Sequence, residues 1–73
     1  MAKESFAGRL LKARTARHLT QSQLARAASL PSDVQVSRYE LGVHEPRSRA
    51  AVALAAALDV ELSWLLTGEG RGP

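Results

Sequence analysis

Thr20 to Gly42, TQSQLARAASLPSDVQVSRYELG, decides how this chain folds. The stretch reads as two short helices, each opened by its own start signal. Thr20 and Gln23 form a T-x-x-Q capping box, and Ser32 and Gln35 form an S-x-x-Q box. In each, the hydroxyl can accept from the backbone N–H three residues on, and the amide side chain can reach back to the cap. Leu19 and Leu24 occupy the staple positions around the first box. Two capped helices with so short a link cannot lie side by side over much length. They must cross.

Crossed helices of this size make a helix-turn-helix, about residues 20–41. The second helix of such a unit is the right size to enter the major groove of DNA. Bulk properties fit without proving it. Seventy-three residues make one domain, 1–73, with 45% apolar and 23% charged residues, as in ordinary soluble globules. Without cysteine there are no disulfides and no thiolate metal sites. His18 and His44 are far apart in sequence with no second ligand type beside either, so no metal site and no cofactor is expected. No apolar run reaches a membrane span and no signal-peptide core opens the chain, so a cytoplasmic location is expected. The formal net charge of +3 mildly favours a polyanionic partner. Arginine outnumbers lysine eight to two, which suits bidentate recognition of phosphate and guanine but also follows from a high-GC genome.

Outside the central stretch, the pattern predicts three more helices. The first covers about Ser5 to Arg17, with Phe6, Leu10 and Leu11 inward and Ala13 and Arg14 continuing that face. His18 follows where a C-terminal glycine is usual. The second covers about Gln21 to Ala28, and the third about Asp33 to Leu41 with Val36 and Tyr39 inward. The fourth spans about Ser48 to Leu58, with Leu54, Ala55 and Leu58 on one face, and the fifth about Leu62 to Leu66 before Gly68. The tail, residues 69–73, is expected to be flexible.

The order FAGRLLKAR, LTQSQLA, VSRYELG, EP and LAAALDVELSWLLTGEG, from Phe6 to Gly70, resembles the Cro and lambda-type (XRE-like) repressor family. The resemblance implies an all-α, five-helix lambda-repressor-like DNA-binding domain. It implies a bacterial or phage transcriptional regulator of double-stranded DNA, a repressor or an activator, with a repressor expected. Family members pair as homodimers on palindromic operators.

Carried onto this sequence, the resemblance makes Gln21 a phosphate contact at the start of the second helix; the plainer reading is a capping-turn residue. Asp33, Val34, Ser37 and Arg38 fall at base-reading positions of the third helix. Arg38 suits guanine or a phosphate, and Val34 a thymine methyl. Asp33 either accepts from cytosine N4 or only favours the helix N-terminus. Arg47 resembles the position that approaches the backbone or minor groove, with Arg49 as a phosphate neighbour. Arg14 and Glu40 resemble a family ion pair tying the first helix to the third. Val60, Leu62, Trp64 and Leu66 are the expected dimer surface, or else they fill the core of a single copy.

Two features depart from the family. The turn ASLPS is one residue longer, and a slip of one residue would rotate the reading face by about 100°. The third helix is also not basic, since Asp33 and Glu40 outweigh Arg38. Affinity is then expected from Arg9, Lys12, Arg17, Arg47 and Arg49. The acids keep open a second function class, a helical protein-interaction module of the same fold without DNA binding. No paired carboxylates, nucleophile–base pair or glycine-rich phosphate loop points to catalysis.

Overall fold

The computed structural model describes residues 5–73. Five helices follow in order: α1 Phe6–Ala16, α2 Gln21–Ala27, α3 Asp33–Glu40, α4 Ser48–Leu58 and α5 Leu62–Thr67. The fold is all-α. At seven residues α2 is far below the length that sustains a helix alone in water. Packing therefore holds it: α2 lies against α3 and α4, α1 against α3 and α5, and α4 against α5.

Each helix start has a local cause. Ser5 caps α1 by accepting from the Gly8 N–H at 3.1 Å. Thr20 and Gln23 form the full capping box on α2, with bonds of 3.0 and 2.9 Å. The second expected box does not form. Ser32 is extended and its hydroxyl makes no cap bond, although α3 still begins at Asp33. Across the preceding turn, Ser22 Oγ donates to Asp33 Oδ2 at 3.1 Å.

Four helix ends share one closure. After α1, α2, α3 and α4 a residue turns left-handed: His18, Ser29, Gly42 and Asp59, with φ of 57°, 57°, 76° and 57°. The N–H after each returns to a carbonyl five residues earlier. These bonds run from Leu19 to Arg14, Leu30 to Ala25, Val43 to Arg38 and Val60 to Ala55, at 2.8–3.1 Å. This is the Schellman arrangement, which satisfies carbonyls the helix leaves open and points an apolar residue inward. Leu19 and Leu30 pack on the core and Val60 lies within it.

The core is built from all five helices. Leu10, Leu24, Val36, Leu54, Leu58 and Leu65 are fully enclosed. Each such aliphatic side chain contributes about 1.5–3 kcal/mol by leaving water. On α4, Ala51, Leu54, Ala55 and Leu58 make the buried stripe. The small alanines let α2 approach closely. On α1 the expected inward face needs correction: Leu10 and Ala13 are buried, but Leu11 is 42% exposed. Arg9 takes the inward place instead, 6% exposed, donating from Nε to Leu65 O at 2.9 Å and from Nη2 to Leu66 O at 2.8 Å. A guanidinium here closes the last carbonyls of α5 from two nitrogens held in one rigid plane.

Residues 69–73 return along α5. Glu61 N–H donates to Arg71 O at 3.0 Å, and Arg71 N–H donates to Glu61 Oε1 at 3.2 Å. Gly72 lies so close on the Trp64 indole that a side chain there would run into the ring. Gly70, with φ 107°, is equally close to Glu61 and Ser63.

Candidate nucleic-acid interface

The unit α2–turn–α3 is braced from behind. Glu40, at the last position of α3, accepts from Arg14 Nε at 2.6 Å and Nη2 at 3.1 Å. Arg14 Nη1 also donates to Leu19 O at 2.7 Å, in the link between α1 and α2. Gln21 Nε2 donates to Glu40 Oε1 at 3.0 Å. One carboxylate thus joins α1, the start of α2 and the end of α3. The two ion-pair side chains are 15% and 7% exposed, so water screens them little.

That brace leaves the opposite face of α3 open. Val36 and Tyr39 are buried, whereas Asp33, Val34 and Arg38 are exposed and Ser37 is half-buried. Val34 alone is 48% exposed, an apolar group held in water at the front of the helix. Gln21 is half-buried, with its amide engaged by Glu40.

Arg38 does not stand alone. It lines a groove between α3 and α4 together with Gln35, His44, Arg47 and Arg49, floored by Ala50 and Ala53. Glu45 is the acid among them. Arg47 caps α4 only through its backbone, with no side-chain bond. Sequence reading missed Gln35 and His44 as members of this group. Gln35 was assigned to a capping box, and the failure of that box frees its side chain. His44 offered no signal beyond its place in the loop before Pro46.

Two further assignments shift. Arg9 cannot act as a free surface cation, because burial and its bonds to α5 hold it inside. Arg17 and Lys12 remain exposed, and Arg17 Nη1 stands 3.7 Å from Asp59 Oδ2. In the C-terminal region Val60 and Trp64 belong to the core. Leu62 is partly buried against it, and Leu66 is 46% exposed. An intermolecular contact there would rest on Leu62 and Leu66.

No group of three potential metal ligands occurs among the described residues. No helix among them is long and apolar enough to cross a membrane.

Crossed α2 and α3, braced by α1 and backed by α4 and α5, define a helix-turn-helix domain of the repressor type. The helix-turn-helix family HTH_3 matches residues 10–65, and the chain belongs to that family. It is 39% identical over 67 residues to the HTH-type transcriptional regulator PrtR of Pseudomonas aeruginosa. That alignment takes 92% of this chain but 25% of PrtR, so the chain spans about a quarter of that relative's length. Among solved structures, the P22 c2 repressor in complex with a synthetic operator superimposes with a TM-score of 0.87 at 25% identity, covering 92% of this chain and all of that one. The restriction-modification controller protein C.AhdI of Aeromonas hydrophila superimposes with a TM-score of 0.79 at 34% identity, covering 84% of this chain and 91% of that one.

Proposed function

We propose that this chain is the DNA-binding module of a transcriptional repressor, reading a palindromic operator as a homodimer with α3 in the major groove. The observation that carries the reading is the braced α3. Arg14 and Gln21 hold it through Glu40 from behind, while Asp33, Val34 and Arg38 stand exposed in front. Arg47 and Arg49 flank them on one side, where phosphates would run. The first turn of α4, left without a side-chain cap, offers N–H groups to an anion. A cytoplasmic, nucleoid-associated location goes with this role, and catalysis does not. The solved complex of the P22 c2 repressor with a synthetic operator supports the same use of the fold.

The alternative, an interaction module without DNA, drew on the two acids of α3. Glu40 is neutralised by Arg14 and turned inward, so only Asp33 faces out, and that case weakens. Titration of the chain against a pool of genomic duplexes at low and moderate salt tests the reading. DNA binding by several arginines falls steeply with salt and retains some fragments over others. Absence of any retained fragment at either salt refutes it.

A further inference from the structure

Asp33 stands at the first position of α3, exposed, and half of its carboxylate is already engaged. Ser22, in the first turn of α2, donates its hydroxyl to Oδ2 at 3.1 Å. The bond spans the crossing between the two helices and fixes the direction of the carboxylate. Oδ2 takes that bond, and Asp33 and its neighbour Val34 are both exposed.

We infer that Asp33 sets the base preference at one position of each half-site, selecting cytosine and rejecting guanine. The inference rests on the reading that α3 enters the major groove. In that groove guanine presents only acceptors, N7 and O6, which repel a carboxylate. Thymine presents the O4 acceptor and a methyl group. Adenine and cytosine each present an amino donor. The adenine N6 donor is flanked on both sides by acceptors, its own N7 and the O4 of its thymine partner. The cytosine N4 donor has an acceptor on one side only, guanine O6. Each of these bases offers the carboxylate one amino group in the groove, and every acceptor beside that group repels it. Cytosine is therefore the base it tolerates best. The Ser22 bond sharpens this choice, because a tethered carboxylate cannot swing away from an unfavourable base.

Selection of bound sites from a random duplex pool, run with the wild-type chain, Asp33→Asn and Ser22→Ala, tests the inference. The wild type should show one position per half-site with cytosine favoured over guanine by ~5-fold or more, the low end for direct readout. Asp33→Asn should move that position to adenine, since an amide can donate to N7 and accept from N6, and leave other positions unchanged. Ser22→Ala should keep cytosine but narrow the ratio. Sequence-specific enrichment with the same preference in wild type and Asp33→Asn overturns the inference and leaves the DNA-binding reading standing. No enrichment with the wild type overturns both. Circular dichroism and thermal unfolding of both variants confirm that each is folded before selection, and Ser22→Ala gives a second readout through the same base pair.

Discussion

Arg14 and Glu40, 26 positions apart in the chain, meet in a two-point ion pair between the first helix and the third. Glu40 receives three donors, two from Arg14 and one from Gln21, and so carries the angle between α1, α2 and α3 on a single carboxylate. Arg14→Ala or Glu40→Ala should each cost about 3 kcal/mol, near the lower end for breaking a buried pair. In a domain this small, that shifts the unfolding midpoint by roughly 12–24 °C. Thermal or urea unfolding of both single variants and the double variant measures it. A double variant that loses as much as the two singles added together would mean that the pair does not couple the helices.

Arg38 and Arg47 line the same groove but should differ in effect. Arg38→Ala is expected to weaken cognate binding by about 1–3 kcal/mol and to relax preference at one base pair per half-site. Arg47→Ala should weaken all duplexes alike and reduce the salt slope by about one unit. Binding isotherms on cognate and scrambled duplexes at several salt concentrations separate the two. Identical behaviour would make Arg38 a phosphate contact.

Arg9 looks like a DNA-binding cation in sequence and acts as a structural one. Arg9→Ala should lower folding stability by about 2–4 kcal/mol, because charge-assisted bonds to two carbonyls disappear and those carbonyls stay partly buried. The salt slope of DNA binding should not change at temperatures where the variant is folded. A reduced slope would place Arg9 on the phosphate backbone instead.

Most of the architecture could be read in advance because its causes are local. The Thr20–Gln23 box, the alanine-rich stripe of α4 and Gly68 after α5 each act within a few residues. His18 stood out for lacking the glycine expected there, and it does adopt the left-handed turn. Ser29 and Asp59 make the same turn; aspartate tolerates that region better than most residues, whereas nothing in the identity of serine announces it. Their signal lies in the apolar residue that follows, Leu30 and Val60, whose burial drives the backbone into that shape. The Ser32–Gln35 box failed for the opposite reason. A local motif was present, but Ser32 is extended and its hydroxyl makes no cap bond, while Asp33 at the first position of α3 bonds Ser22 of α2 instead. The inward turn of Arg9 and the outward turn of Leu11 depend on α5, which is more than 50 residues away in the chain.

Ser29→Gly should stabilise the domain. Ser29 holds φ 57° at an exposed position and its side chain makes no hydrogen bond there. Glycine removes the left-handed strain, worth about 1–2 kcal/mol, and loses about 0.5–1 kcal/mol of unfolded-state entropy. A net gain of about 0.5–1 kcal/mol is expected in urea unfolding. A loss would show that the Ser29 hydroxyl contributes to the turn.

Pairing of two copies is the remaining assembly question. A palindromic duplex with half-site centres about 34–36 Å apart should take up two chains. Leu66→Asp should lower affinity for the palindrome more than for a single half-site, since Leu66 is the exposed apolar residue of α5. Light scattering of the saturated complex gives the count directly, and one chain per palindrome refutes the pairing.

Trp64 is the sole tryptophan of the chain, and the backbone of Gly72 lies across its ring. The chain therefore carries its own optical gauge of the C-terminal segment. While Glu61 and Arg71 hold each other, the indole is shielded and its emission should be blue and poorly quenched by acrylamide. Whatever draws that segment off α5, whether a second copy, a duplex or a chain extension, would report itself as a red-shifted, quenchable fluorescence without any added label.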